Sequence, residues 1–183
     1  MNALRTVLSE LARATLTHLA PLLPPPRIIR DRAGNEPYLS RWYLTGRPRM
    51  PDGSNGITAD GQIARGALPA PPMALYLHQF HQSDDCGSLH NHPFAWSFSL
   101  ILAGGYHEEI TLGRRIVRRT LHPFSLNYIR HDTHHRVDLL EHDAWTLFLA
   151  GPKVASWGFA DRTTGAYTAW RDFLAANRGV RPS

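Results

Sequence analysis

Gly87-Ser88-Leu89-His90-Asn91-His92-Pro93 is the stretch on which the reading of this chain turns. Two histidines two residues apart share a face only when the backbone is extended, because side chains on a strand alternate with period two. Pro93 lacks an amide donor and disfavours the α region for His92, so the extended reading is the natural one. Two imidazoles on one face, just ahead of a turn, make half of a metal site. A third imidazole is available downstream in His131-Asp132-Thr133-His134-His135-Arg136. Imidazole binds zinc, iron, nickel and copper at neutral pH, so the pairing points to a metal without choosing it.

Around this stretch the chain is ordinary. Its 183 residues, 43% of them hydrophobic, suit one compact domain with its own core. The formal net charge is +5, carried by arginine, since Lys153 is the only lysine. Arg114-Arg115 and Arg118-Arg119 form the one tight basic cluster, within a strand-like segment and with no interleaved aromatics. A solvated surface explains that excess better than a nucleic-acid footprint, so no nucleic-acid partner is expected. Cys86 is the only cysteine, which excludes an internal disulfide and a cysteine zinc cluster. Glu10 and Arg13 interrupt the apolar stretch that a secretory signal needs, and no run approaches a membrane span. A cytoplasmic protein without membrane contact is the expectation.

Residues 2 to 19 read as an amphipathic helix, with Leu4, Val7, Leu8, Leu11, Thr15, Leu16 and Leu19 near the helical period. Pro21 and Pro24-Pro25-Pro26 end it, so residues 1 to 26 form a helical arm that packs on the domain or on a second subunit. Residues 37 to 44 look like an aromatic strand. Residues 46 to 72, dense in glycine and proline, read as a long loop within the domain, of the kind that serves as a lid or binding loop. From Met73 the texture becomes short strands at 73–81, 88–92, 94–102, 105–112, 115–121, 125–130, 135–140, 144–150 and 154–159, punctuated by turn signals. Such spacing predicts a sandwich or barrel. Residues 168 to 177 read as a short closing helix.

The stretch from Gly87 to Gly104 resembles the first motif of the cupin superfamily, with His90 and His92 at its histidine positions and Gly104 at its closing glycine. Ser97 stands where that motif usually carries glutamate. Pro123-Phe124-Ser125, Asn127-Tyr128-Ile129 and His135 resemble the second motif, with Ser125 in place of its turn glycine. The resemblance spans Met73 to Phe159. It implies an all-β, antiparallel jelly-roll barrel, here with an N-terminal helix and a short C-terminal helix, and a barrel core over residues 73–160 of a single domain covering 1–183. It implies one divalent metal on His90, His92 and His135. With Ser97 supplying no carboxylate, the set is similar to three-histidine oxygenases such as thiol and diketone dioxygenases. That likeness implies iron(II) and chemistry on a small molecule with dioxygen; zinc, nickel or manganese would fit the same nitrogens.

Several points stay open at this level. His134 and His135 exchange roles if the strand register slips by one residue, with His135 on the motif's ligand position. Tyr76 and His78 share a strand face and could line the pocket as acid, base or hydrogen-bond donor, while His81 falls on the other face. Asp84 or Asp85 could supply the missing carboxylate, or cap a turn. Glu108, on the face of Tyr106, could be a fourth ligand or could orient an imidazole. Arg130 could grip a substrate carboxylate or sit in an exposed ion pair. Arg136, next to the ligand position, should point away from it. In 94–102 the bulky set Phe94, Trp96, Phe98, Leu100 and Leu102 alternates with Ala95, Ser97, Ser99 and Ile101. If the small set faces a pocket, the bulky set packs outside, which suggests a homodimer. The functional expectation is an iron dioxygenase acting on a small molecule through Tyr76, His78, Ser97 and Arg130. Its rivals are a metal-assisted isomerase or epimerase and a ligand-binding barrel without chemistry.

Overall fold

The computed structural model describes residues 3–31, 36–59, 61–69, 71–84, 87–113 and 115–176. Asp85, Cys86 and Arg114, named above, lie outside these. The elements are α1 (Ala3–Leu19), β1 (Arg27–Arg30), β2 (Pro37–Tyr43), β3 (Ala74–Phe80), β4 (Leu89–His90), β5 (Trp96–Ala103), β6 (Tyr106–Leu112), β7 (Arg115–Leu121), β8 (Leu126–Arg130), β9 (His135–Leu139), β10 (Ala144–Ala150), β11 (Gly158–Ala160), β12 (Tyr167–Ala169) and α2 (Trp170–Ala176). They form two six-stranded antiparallel sheets, in the orders β1-β2-β3-β10-β5-β8 and β12-β11-β4-β9-β6-β7. Ile101 and Ala144 of the first sheet pack with Tyr106, Leu121 and Val137 of the second, so the sheets meet face to face. The result is an all-β sandwich of two antiparallel sheets, with helix among the described residues only in α1, the single 3-10 turn Ala20–Leu22 after it, and α2.

Alternation places the inner face. Along β5 the small residues Ser97, Ser99, Ile101 and Ala103 are buried while Trp96, Phe98, Leu100 and Leu102 are less so, as the sequence pattern predicts. Phe94 departs from that pattern. It precedes β5, bridges to Lys153 and is buried against Phe148 with centroids 6.3 Å apart, because strand alternation has not yet begun there. Two cross-strand rows follow from the register of the first sheet's inner face. One runs Arg27, Arg41, His78, Thr146, Ile101, and the next Tyr43, Tyr76, Phe148, Ser99, Asn127.

The N-terminal helix docks by a different face from the expected one. Leu4, Val7, Leu8, Leu11 and Leu19 are exposed, and only Leu16 of that stripe packs, with Ala12, against Trp42, Leu77 and Trp145. Polar anchors fix the orientation. Ser9 Oγ accepts the Gly104 amide at 3.0 Å, and Arg13 is buried with Glu141 and Asp143, its Nε 2.8 Å from Asp143 Oδ1. Gly104 itself has φ +73°, and a Cβ there would stand 2.3 Å from the Asp143 carbonyl, so only glycine closes this turn. The expected strand at 154–159 is displaced to Gly158–Ala160, because the amides of Val154 and Ala155 bond the Pro93 carbonyl instead of a ladder. β1 and β12 are additions at the rims of the two sheets; at four and three residues they are too short for a periodic signal. Among its described residues the 46–72 segment carries isolated bridges alone, Arg49 to Asn55 and Ile57 to Ile63.

Candidate metal centre

Between the sheets lies a cavity of about 280 Å³, bordered by residues of both. Into it project His90 from the end of β4, His92 from the turn after it, and His135 from the start of β9, which pairs with His90 in register. Asn91 makes this turn rigid. Its side chain is buried, accepts the Gly158 amide at 2.8 Å and donates to the His131 carbonyl at 2.8 Å. The His-x-His spacing is thus held partly by side-chain bonding, since β4 ends at His90.

The three imidazoles offer one ligand nitrogen each, all within 4.8 Å of one another. His135 Nε2 and His92 Nε2 are 3.0 Å apart. Metal–nitrogen bonds of about 2.1 Å place two ligand nitrogens roughly 3.0–3.4 Å apart, so the pair matches a shared ion. The remaining nitrogens are set by what lies behind them. His135 Nδ1 is 2.7 Å from Glu108 Oε1, which fixes its proton on Nδ1 and leaves the Nε2 lone pair for a metal. His90 Nδ1 lies 3.5 Å from Asp84 Oδ2, leaving its Nε2 free. His92 Nδ1 is buried without a partner.

Glu108 is fully buried and resolves its two readings by position. Oε1 receives His135 and the Asn127 amide at 2.9 Å, while Oε2 receives Arg119 Nε at 2.7 Å. Both oxygens are committed behind His135, so the carboxylate orients an imidazole and is no fourth ligand. Burial alone would raise its pKa, but the hydrogen bond and charge of His135, the Arg119 charge and the Asn127 bond outweigh this and hold it at about 2. Asp84 is committed likewise, accepting the Tyr38 hydroxyl and the Val137 amide at 2.7 Å each. Burial pushes His90 down to about 4 against the opposing charge of Asp84, and burial with the neighbouring His135, His90, Arg41 and His78 holds His92 well below the usual imidazole range. Neutral imidazoles are the form that binds a metal.

The other sequence candidates divide. His78 borders the cavity and is buried, stacked between Tyr76 and Phe148. Arg41 Nε donates to its Nε2 at 2.9 Å, which places the imidazole proton on Nδ1, an atom without a partner. Tyr76 is buried beneath Tyr43, His78 and Arg41 and does not border the cavity. Ser97 faces inward, but its hydroxyl donates to the Ile129 carbonyl at 3.3 Å, and Ser99 borders the cavity in its stead. Arg130 does not reach the site. It is exposed on the outer face of edge strand β8, in an ion pair with Asp132, because its position in β8 alternates with the inward Asn127 and Ile129. Arg136 also points away, toward the Asp84 carbonyl. His134 is half-buried, with its ring 6.0 Å from Tyr167 and outside the histidine cluster. Sequence reading missed Arg27, Arg41, Asn127 and Trp157, which all border the cavity. Period-two alternation on β2 would have grouped Arg41 with Tyr43 and Leu39, but nothing in the sequence brings β2 to the histidines.

No family model and no curated protein matches the chain. Solved structures with a similar fold include KdgF from Halomonas sp., at 19% identity, covering 66% of this chain and 85% of that one, TM-score 0.42. Fe(II)-HppE with an alternative substrate shows 11% identity over 69% of this chain and 55% of that one, TM-score 0.44. Bacillus subtilis oxalate decarboxylase, described for its Mn(II) centres, shows 13% identity over 48% and 24%, TM-score 0.39. These are cupin-family proteins. Among the described residues no helix is long and apolar enough to cross a membrane.

Proposed function

We propose that this cupin-fold protein is a metal-dependent enzyme acting on a small molecule, with His90, His92 and His135 as ligands of one divalent ion, and that the reaction is a dioxygenation at iron(II). The observation that carries the reading is the orientation of the three imidazoles. Their metal-facing nitrogens converge within a cavity, with the buried Glu108 behind His135 and the half-buried Asp84 behind His90. An ion held there supplies a Lewis acid and, if it is iron(II), an electron source for dioxygen.

The protein's own part is positioning and exclusion. With no carboxylate in the ligand set, three neutral imidazoles would hold an ion without reducing its dipositive charge and would leave room for substrate to bind it. Phe80, Phe94, Phe148 and Ile129 line the cavity and give it an apolar wall. His78 borders the cavity with its protonated Nδ1 unpartnered. Its basic nitrogen is occupied by Arg41, and burial holds its pKa well below the usual range. A proton-abstracting base is therefore lacking at His78.

The test starts with elemental analysis of protein from its native host, beside His90→Ala and His135→Ala, which should each lose most of the metal and keep the fold. Anaerobically prepared Fe(II) protein is then given dioxygen with thiols, diketones and phenols. Oxygen uptake coupled to substrate loss supports the reading. A folded, iron-loaded protein that consumes no oxygen with any of them overturns the dioxygenase assignment, and turnover without oxygen moves it to the isomerases.

A further inference from the structure

The inner-face row Arg27, Arg41, His78 sets two arginines at directly facing positions of β1 and β2. Like charges at facing positions of an antiparallel pair destabilise it. Five other arginines, Arg13, Arg118, Arg119, Arg130 and Arg162, each pair with a carboxylate. Among the described residues Arg27 and Arg41 have no such partner. Around Arg41 stand the His78 imidazole, the face of Tyr76 at 4.7 Å and the Tyr43 hydroxyl. Arg27 Nε is buried with no hydrogen-bond partner. Both border the cavity that holds the histidines, Lys153 borders it as well, and among the described residues no Asp or Glu does.

Distance ties this row to the histidine cluster. His78 and His92 both contact one ring, Phe148, with centroid separations of 4.9 and 5.6 Å. A molecule spanning the cavity can therefore touch the arginine row at one end and the imidazoles at the other. Between them the wall is apolar, built from Phe80, Phe94, Phe148, Ile129 and Val137. A planar guanidinium prefers a carboxylate, which it meets with two parallel bonds.

We propose that Arg27 and Arg41 form an anion seat, so that the substrate is a small carboxylate with an apolar body, its acid group on the arginines and its reacting end toward His90, His92 and His135. The assignment of the reacting end rests on the metal-enzyme reading above; the anion seat does not. An unmatched cationic pair also gives a physical reason for keeping a repulsive contact inside the fold: the ligand supplies the missing counter-charge.

The experiment titrates the full-length protein, as purified and after chelation of metal, with benzoate, phenylacetate, succinate, neutral benzamide and inorganic phosphate, by calorimetry. At least one carboxylate should bind in both preparations, benzamide should bind about tenfold or more weakly than benzoate, and Arg27→Gln should weaken the carboxylate by about tenfold or more. Arg27→Lys should restore part of the loss. Arg41→Lys checks the second position with charge and fold retained, and should weaken binding through loss of the paired contact. Phosphate binding tighter than any carboxylate would reassign the seat to phosphorylated compounds and overturn the carboxylate proposal. Equal binding of benzamide and benzoate, unchanged affinity in Arg27→Gln, or no carboxylate binding at millimolar concentration overturns it too. Metal titration of the same variants separates the two readings. Failure of the anion seat leaves metal affinity intact, and failure of the metal site leaves carboxylate binding to the chelated protein intact.

Discussion

Replacing Glu108 by glutamine tests whether a buried carboxylate sets the proton position on His135. In the native arrangement Oε1 accepts from His135 Nδ1 at 2.7 Å and Oε2 accepts from Arg119. Glutamine keeps the shape but has one acceptor and one donor end. If the amide oxygen turns to Arg119, the NH2 group faces His135 Nδ1. That nitrogen must then accept, and its proton moves to Nε2, the atom aimed at the metal. If the oxygen turns to His135, the NH2 group meets the Arg119 donors instead. Either way a charge-assisted bond becomes a neutral or repulsive one.

Loss of such an orienting partner costs about 10–100-fold in metal affinity, roughly 1.4–2.7 kcal/mol. The folding cost should be smaller than for a fully buried ion pair, because the Arg119 side chain is 40% exposed and can turn to water. Competition with a chromophoric chelator measures the zinc or iron affinity, and circular dichroism checks the fold. Arg119→Met, acting through Glu108 and Asn127 rather than on the imidazole itself, should lose about tenfold or less. A folded Glu108→Gln protein that binds metal within about twofold of the wild type would refute the orienting role and leave His135 held by its backbone alone.

Other substitutions test other parts of the argument. Asn91→Ala leaves the Gly158 amide and His131 carbonyl without their partner, so denaturant unfolding should show a loss of about 2–3 kcal/mol, with weaker metal binding as the His92 turn loosens. Gly104→Ala sets a methyl 2.3 Å from the Asp143 carbonyl at φ +73°, and thermal unfolding should report a loss of at least about 2 kcal/mol. Phe124 occupies the third position of the turn His122-Pro123-Phe124-Ser125 with φ 69°, where glycine is the favoured residue, so Phe124→Gly should raise stability by up to about 1 kcal/mol in the same assay. Arg130→Ala should leave metal content and carboxylate affinity unchanged, since its partner is the exposed Asp132; a change in either measurement would return Arg130 to the site.

The strands and their inward faces were legible where alternation was unbroken. Ser97, Ser99 and Ile101 on β5, and Tyr106 and Glu108 on β6, face the interior as period two requires. What alternation could not carry were positions outside a strand. Phe94 turns inward from the loop before β5, and His92 is held by the Asn91 side chain after β4 has ended. Helix α1 was legible as a helix but not in its docking. Periodicity identifies an apolar stripe, whereas Ser9 and Arg13 select the face by bonding Gly104, Glu141 and Asp143, partners some 90 to 130 residues away. The second motif's missing turn glycine has a physical answer too: the left-handed residue of that turn is Phe124, one position before Ser125.

The electrostatics of the cavity were the least legible part, and for a definite reason. Ion pairs depend on sheet order, and β1 and β2 reach the histidines only through β3 and β10. In the sequence nothing separates Arg27 and Arg41 from Arg130. In the fold Arg130 meets Asp132 in solvent, while Arg27 and Arg41 meet each other beside neutral imidazoles. Burying a cation without a counter-ion is costly, and a fold with only structural demands would place a carboxylate or an apolar residue there. Two adjacent cations without a carboxylate, in the same cavity as the one converging histidine cluster found among the described residues, tie the unmatched charge to what the cavity receives.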